Sequence, residues 1–247
     1  MKKLTPLLLS LFVLCCFCKA AIVTFTGGTA DLESGGTIIT TTTSQNYGVI
    51  SYQEQSVVLE YVSPTEDWSF QTVGDYYDVG NDVIHGHWTA ISAIEISLQN
   101  NNPFDLQYFQ ITSNTSAGGQ PATNEENIGI QGYLNGSSVT EIYALPSVDW
   151  GASSTRDVFL PSSFDNVDKV VIFDRGVSAT HTGNSSCPEC GNSGFCFGMD
   201  NFVFDEAVPQ NLVQGNATPL TAIPEASVAL LSGLSILLLL QRRKFYR

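Results

Sequence analysis

The sequence predicts an all-β protein, a two-sheet, jelly-roll-like β-sandwich between an export signal and a C-terminal transmembrane segment. Short runs with strand-like alternation recur through residues 21–206, and this region has no helical period. Asn135-Gly136 stands between two alternating apolar runs, which is the strongest short-range signal for a hairpin. About ten strands, with no internal repeat and no second linker, indicate a single sandwich domain over residues 21–206.

Residues 1–20 predict a secretory signal peptide. Lys2 and Lys3 precede an uncharged, largely apolar stretch, residues 7–17, and small residues follow up to Ala20. The apolar stretch is too short to span a bilayer comfortably, so we expect cleavage after Ala20 rather than retention as an anchor. The domain that follows is therefore expected to be exported.

The exported part of the chain is strongly acidic. Only three basic residues, Arg156, Lys169 and Arg175, stand against all 24 Asp and Glu residues, which gives residues 21–225 a formal net charge of −21. Such a surface repels phosphate backbones and anionic headgroups, which argues against a nucleic-acid partner. Soluble cations, calcium above all, are the partners that this charge favours, although most of the acids serve solubility.

The end of the chain predicts a polar linker followed by a membrane segment. Residues 207–223 are polar and have no strand or helix period, and residues 226–240 carry no charge. At about 1.5 Å per residue the apolar helix would measure roughly 22 Å, short of the roughly 30 Å hydrocarbon core. Arg242 and Arg243 follow, so the tail is expected to end in the cytoplasm while the acidic domain lies outside.

These features resemble the bacterial PEP-CTERM sorting signal. The matching residues are Pro224, Glu225, the stretch 228–240, Arg242 and Arg243. The sequence departs from the family at Ala226, where a second proline is usual. The resemblance implies that residues 224–247 are a transient inner-membrane anchor that an exosortase, a membrane-embedded transpeptidase-like enzyme, recognises and removes. It also implies delivery to the cell surface or matrix of a Gram-negative-type bacterium, often with exopolysaccharide systems. An ordinary single-pass anchor is the alternative.

The strand region is also similar to exported β-sandwich modules that stand in front of this signal. The segments "VDKVVIFD" and "FGMDNFVFDE" follow one another in the order that such modules show, and the second contains a late hydrophobic-Asp-Asn-hydrophobic strand. This resemblance implies a fold and carries no particular activity.

Alternation along residues 84–98 predicts which side chains enter the core: Ile84, Trp88, Ile94, Ile96 and Leu98. His85 and His87 then face outward from the same side of one strand. Two histidines so placed can hold a metal or flank a ligand, and they are also compatible with surface histidines that have no such role.

The last strand of the domain changes parity. Met199 shares one parity with the aromatic residues before it and Phe202 has the other, so a bulge near Asp200-Asn201 is needed to keep both in the core. A carboxylate at such a bulge can join other oxygens to hold calcium, and Asp31, near the other end of the domain, could be brought close. Alternatively, Asp200 and Asn201 satisfy main-chain donors at the bulge.

Three cysteines, Cys187, Cys190 and Cys196, remain after the signal peptide is removed. In an exported protein they predict a disulfide that fastens the loop holding Cys187 and Cys190 to the strand holding Cys196. Together with His181 they could instead form a tetrahedral zinc site.

Exposed aromatic rings beside carboxylates and amides suit stacking on sugars. Tyr76 and Tyr77 stand among Asp and Gly residues, and Trp150 lies near a strand end. These three are the candidates for stacking on a ligand, although burial in the core is the commoner fate of a Trp.

The sequence contains no nucleophile elbow, no zinc-protease motif and no phosphate loop. We therefore expect a non-enzymatic surface module that is associated with extracellular polysaccharide or binds glycans. Two alternatives stay open: a secreted glycan-acting hydrolase on the same fold, whose paired carboxylates a sequence does not locate, and a purely structural surface protein.

Overall fold

The computed structural model describes most of the domain between the two ends of the chain. Both predicted targeting segments, residues 1–20 and 224–247, lie outside the described residues. Within the described part, no helix is long and apolar enough to cross a membrane. The described residues are 21–41, 46–64, 66, 68, 71–74, 82–88, 90–116, 120–121, 128–146, 155–174, 195–217 and 220–223.

The described chain is almost entirely β-structure, as predicted, and its strands, numbered along the chain, form two antiparallel sheets. The first sheet contains β1 (Ala21–Val23), β4 (Asn46–Tyr47), β7 (Thr72–Gly74), β8 (Val83–His87), β10 (Leu106–Ser116), β11 (Gln120–Pro121), β15 (Arg156–Phe159) and β17 (Phe195–Phe204). The second contains β2 (Thr29–Leu32), β3 (Thr37–Ile39), β5 (Val49–Glu54), β6 (Val57–Val62), β9 (Ala93–Leu98), β12 (Ile128–Leu134), β13 (Ser137–Ser138), β14 (Ile142–Ala144), β16 (Lys169–Asp174) and β18 (Thr221–Ile223). One turn of 3-10 helix, Ser162–Phe164, precedes β16.

Strands β10 and β17 form the middle of the first sheet and pair along nearly their whole length. On one side β10 also pairs with β15 and β11, and on the other side β17 also pairs with β8 and β1. Beyond β8 lie β7 and β4. The second sheet has the order β18-β14-β12-β16-β9-β6-β5-β2-β3, with β13 also pairing with β12. Strands β8 and β17, which are neighbours in the first sheet, carry the predicted candidates His85, His87, Cys196, Asp200 and Asn201.

The two sheets enclose one hydrophobic core. The core-facing prediction for residues 84–98 is confirmed, because all five of its apolar side chains are buried. Trp88 packs against Phe197 with 4.6 Å between ring centroids, and Phe109 stacks on Phe202 at 4.8 Å. A fully buried aromatic side chain contributes about 1.5–3 kcal/mol relative to an exposed one, so these rings supply much of the stability of the sandwich.

The predicted bulge in the last long strand is present. Gln110 pairs with Asp200 whereas Tyr108 pairs with Val203, so β17 has one more residue than β10 over this interval. Asn201 lies at the bulge with a φ of 53°, in the left-handed region that Asn tolerates better than most residues. The extra residue reverses the parity of the strand, and the aromatic residues that follow return to the core.

A buried glutamate holds the corner where the chain passes from the first sheet to the second, between β1 and β2. Glu54 Oε2 accepts hydrogen bonds from the main-chain N–H groups of Thr24 (3.0 Å) and Phe25 (2.9 Å) and from the Tyr52 hydroxyl (2.9 Å). Phe25 has a φ of 59°, an uncommon conformation that these contacts stabilise. Burial raises the pKa of Glu54 above its usual value, while the hydrogen bonds to the carboxylate oppose that rise.

The hairpin predicted at Asn135-Gly136 is also confirmed. The two residues have φ values of 52° and 76°, as a two-residue type I′ turn requires, and they join β12 to β13 with Tyr133 opposite Ser138. Asn and Gly are the residues that adopt positive φ at the least cost, which is why this turn was readable from the sequence.

The segment predicted as a polar linker, residues 207–223, is held on the domain. The sequence predicted no strand here, but β18 pairs with β14 at the end of the second sheet. Residues 207–217, which we call the C-terminal strap, lie against the first sheet, where Leu212 and Asn216 form hydrogen bonds with β10 and β15. Most of these contacts use main-chain groups of the strap. Such contacts do not depend on the type of side chain, so the sequence shows no periodic pattern here.

Candidate functional site

A row of polar side chains crosses the outer face of the first sheet. Asp157 of β15, Gln110 of β10 and Asp200 of β17 lie directly opposite one another in neighbouring strands, and we call these three residues the polar row. Adjacent residues such as Ile111 and Met199 belong to the core, so the row points away from it. All three side chains are nevertheless at most 3% exposed. Two strand spacings of about 4.8 Å put the α-carbons of the two aspartates about 10 Å apart.

Asp157 anchors the C-terminal strap. Its carboxylate accepts hydrogen bonds from the main-chain N–H groups of Gln214 (3.1 Å), Gly215 (2.9 Å) and Asn216 (3.3 Å), and from the Tyr108 hydroxyl (2.7 Å). Burial by itself raises the pKa of Asp157, but the hydrogen bonds outweigh burial and hold the pKa below its usual value. The carboxylate is therefore ionised and engaged by the main chain of the strap.

Gln110 and Asn201 link Asp157 to the bulge. Gln110 Nε2 donates a hydrogen bond to the carbonyl of Leu212 at 2.7 Å, which is a further main-chain contact to the strap. Asn201 Nδ2 donates to Gln110 Oε1 at 2.8 Å and to Asp200 Oδ2 at 2.6 Å. The bulge thus places the Asn201 amide where it binds the two side chains beside it.

His85 and His87 lie on the outer face of the first sheet, but the prediction that they face solvent was wrong, because they are only 1% and 2% exposed. Alternation assigns a side chain to a face and does not say whether another segment covers that face. The two rings are 5.5 Å apart between centroids, and His85 Nδ1 lies 3.4 Å from Thr72 Oγ1. Burial, and then the charge of His87, hold the pKa of His85 well below 6.5. The strand register places Cys196 opposite His87.

The depressed pKa of His85 predicts a loss of stability on acidification. The folded chain keeps His85 neutral, whereas the unfolded chain takes up a proton there below about pH 6.5, so the free energy of unfolding falls as the pH drops through 6.5. The expected slope for one such group is up to about 1.4 kcal/mol per pH unit. Denaturant unfolding between pH 7.5 and 5.5 measures it. His85→Gln should flatten the slope, and the same slope in both proteins would contradict the prediction.

The structure does not bring together all the residues predicted to hold calcium. Asp200 and Asn201 are adjacent at the bulge, whereas Asp31 lies on the second sheet with an exposed side chain that accepts hydrogen bonds from Thr37 and Ser51. The thickness of the sandwich therefore separates Asp31 from Asp200. Among the described residues, no group of three or more His, Cys, Asp or Glu side chains could hold a metal ion. Calcium binding through Asp200 stays a prediction.

Several predicted site residues lie outside the described part of the chain, and the predictions for them are unchanged. They are Tyr76, Tyr77, Trp150, His181, Cys187, Cys190, Pro224, Glu225, Ala226, Arg242 and Arg243.

The structure adds two exposed aromatic side chains that the sequence did not single out. Tyr47 on β4 is 56% exposed, and Phe159 on β15 is 41% exposed. Both stand on strands of two to four residues, which are too short for alternation to assign a face. The polar neighbour Asn46 and the following Gly48 were the available signal that Tyr47 lies at a turn near the surface.

The fold and the polar row define an antiparallel β-sandwich protein whose C-terminal segment is fastened to the outside of one sheet. No protein-family model matches the chain, and no curated protein matches it significantly. The functional assignment therefore depends on the residues of the chain itself.

Proposed function

We propose that the chain is an exported, jelly-roll-like surface module without catalytic activity, which is sorted through its C-terminal signal and associates with extracellular polysaccharide. The observation that carries this proposal is the position of β18. That strand ends at Ile223, and the sorting motif begins at the next residue, Pro224, so a folded domain leads directly into the signal. An exosortase-type enzyme of the inner membrane is the processing partner, and the cell surface or matrix of a Gram-negative-type bacterium is the destination.

Tyr47 supports the polysaccharide part of the proposal. Its strand, β4, is the last in the order of the first sheet, and the main-chain N–H of Glu33 donates to the carbonyl of the adjacent Gly48 at 2.8 Å. An exposed ring with a carboxylate residue nearby offers stacking for a sugar face and an acceptor for its hydroxyl groups. Because residues 21–225 carry a net charge of −21, an uncharged polysaccharide fits this surface better than an anionic one.

The polar row does not offer the carboxylate pair that a glycan hydrolase would need. Two carboxylates on strands separated by one other strand resemble the pair of an inverting glycosidase, whose carboxyl groups lie about 6.5–9.5 Å apart. Here Asp157 and Asp200 are both fully buried, and the strap occupies Asp157 with three main-chain donors. A hydrolytic site would therefore need carboxylates other than these two.

The sorting part is tested on protein recovered from the surface of its native host. We expect mass spectrometry of the C-terminus to show that the mature chain lacks residues 241–247, because the enzyme recognises the motif at Pro224-Glu225 and removes the tail. A surface protein that still carries residues 241–247 would contradict the proposal and favour an ordinary membrane anchor.

The polysaccharide part is tested with Tyr47→Ala in the mature protein. Loss of the stacking ring is expected to weaken binding to the extracellular polysaccharide of the host about tenfold, which corresponds to about 1.4 kcal/mol. Val139→Ala is the matched control, since Val139 is 48% exposed and lies beyond the hairpin of the second sheet. Equal binding by both variants and the parent protein would exclude Tyr47 as the platform.

A further inference from the structure

Gln71, which directly precedes β7, carries a polar side chain into the hydrophobic core. It has the parity of Val73, which belongs to the core, and its side chain is 0% exposed. Its main chain is fixed, because its N–H donates to the carbonyl of Trp68 at 3.0 Å and its carbonyl accepts from the N–H of Val49 at 3.1 Å. Within the described part of the chain, neither Nε2 nor Oε1 of the side chain has a hydrogen-bond partner, which is uncommon for a buried amide.

A glycine in the neighbouring strand makes room for this amide. Gly86 of β8 has the parity of Ile84 and faces the core. A β-carbon at Gly86 would overlap Gln71 Oε1 and approach the Phe197 ring to 2.7 Å. Glycine inside a strand often marks a place where another group approaches closely. The Gln71 amide therefore lies in a space that β8 can provide only because it has no side chain there.

A second buried donor lies against the same phenylalanine. The Trp88 ring packs on Phe197 with 4.6 Å between centroids, and Trp88 is 2% exposed. Its Nε1 also has no hydrogen-bond partner among the residues that the structure describes. Gln71 and Trp88 thus flank one aromatic ring at the same end of the core. Together they offer N–H donors from the amide and the indole and one carbonyl acceptor.

We propose that Gln71 and Trp88 form an internal hydrogen-bonding site between the two sheets, and that this site binds water. The surrounding core consists of hydrophobic side chains, where an isolated charge is very unfavourable, so the guest is uncharged. Water both donates to Oε1 and accepts from an N–H group, and buried waters typically make about three such bonds to groups that are otherwise unsatisfied. The burial of both side chains favours water over a larger guest, which would need an opening to the surface.

The site lies directly behind the strand that carries Tyr47. Thr72, the residue after Gln71, is opposite Tyr47 in the pairing of β7 with β4. Water bound to the Gln71 amide therefore fastens β7 to the core, and β7 in turn holds the exposed ring in place. This makes Gln71 a positioning residue for Tyr47. The positioning role in polysaccharide binding rests on the proposed function, whereas the water site does not.

Nuclear magnetic resonance tests the water site directly in the purified, 15N-labelled full-length chain. Dipolar magnetisation transfer from water is expected to reach the indole N–H of Trp88 and the side-chain amide protons of Gln71, although both residues are shielded from bulk solvent. Transfer that reflects dipolar contact rather than hydrogen exchange supports the site. Absence of transfer to both groups overturns it.

Gln71→Met distinguishes a hydrated amide from an unsatisfied one by the sign of its effect. Methionine has a similar length and lacks the amide, so the substitution removes the bonds to water and leaves the Trp88 N–H without a partner. The equilibrium constant for unfolding is then expected to rise about tenfold. An amide that binds nothing would be relieved by the same change, so an unchanged or lower constant overturns the proposal.

Ile84→Met is the matched control, because Ile84 is buried on the core side of β8 and exchange between apolar side chains of similar volume is well tolerated. Its effect on the unfolding constant should be clearly smaller than that of Gln71→Met. An equal loss in the two variants would attribute the effect to accommodating methionine and would overturn the water site.

The positioning of Tyr47 has a separate measurement. In Gln71→Met, the main-chain amides of residues 46–47 and 72–74 are expected to exchange hydrogen at least about tenfold faster than in the wild type, and binding of the host polysaccharide is expected to weaken. Ile84→Met should leave both unchanged. Unchanged exchange in Gln71→Met would show that the water does not fasten β7, which overturns the positioning role. Faster exchange with unchanged binding would instead contradict the proposed function of Tyr47.

Discussion

Asp157→Asn is expected to lower the free energy of unfolding by about 2–4 kcal/mol, although it changes only one atom of the side chain. The amide keeps one oxygen, but its NH2 group then faces either the main-chain N–H groups of Gly215 and Asn216 or that of Gln214. Buried donors that lose their acceptor cost more than the hydrogen bond contributed, and the charge that strengthened these bonds is also removed. Denaturant unfolding at pH 7 measures the loss.

The matched control is Asp31→Asn, at an exposed carboxylate that accepts hydrogen bonds from Thr37 and Ser51. Its cost should be below about 1 kcal/mol, because solvent replaces the lost bonds. Since the depressed pKa of Asp157 stabilises the folded chain only while the carboxylate is ionised, its contribution should be complete above about pH 3.8 and should fade below it. Equal losses in the two variants would show that Asp157 does not hold the strap.

Gly28→Ala is expected to lower the free energy of unfolding by about 3 kcal/mol, through the corner between the sheets. A β-carbon at this position would overlap the Tyr52 ring and approach the carbonyl oxygen of Gln53 to 2.6 Å. The Tyr52 hydroxyl donates to Glu54 at 2.9 Å, so displacing the ring also disturbs the contact that fixes the corner. Thermal and denaturant unfolding measure the effect.

Gly36→Ala is the control, because no atom lies within 4 Å of a β-carbon built there. It should leave the stability unchanged or raise it slightly, since alanine restricts the unfolded chain more than glycine does. If Gly28→Ala were as well tolerated as Gly36→Ala, the corner would be more adaptable than its packing indicates.

The parts of the fold that were predictable from sequence are those that local chemistry dictates. The parity change after Met199 required a bulge, and Asn201 was the residue able to adopt its positive φ. Asn135-Gly136 predicted a tight turn because Asn and Gly are also residues that adopt positive φ at low cost. The apolar alternation through residues 84–98 identified the core-facing side chains correctly, because which face of a strand is apolar depends only on the residues of that strand.

The polar row was not predictable, because it depends on register between strands far apart in sequence. Gln110 pairs with Asp157 at a separation of 47 residues and with Asp200 on its other side, and no local pattern encodes either pairing. The burial of His85 and His87 was missed for a related reason, since another segment must cover their face. That Asp31 and Asp200 belong to different sheets also depends on long-range pairing, which no local pattern encodes.

The attachment of the C-terminal segment has a mechanical consequence. A pull on the chain beyond Ile223, directed away from the sheet, loads the pairs between β18 and β14 one after another, beginning opposite Ile142, so the strand peels off. The load then reaches the bonds around Asp157, which resist together because they converge on one carboxylate. A tether at this end of the chain would thus lengthen by a few residues and then stiffen, and the core between the sheets would stay shielded from strain.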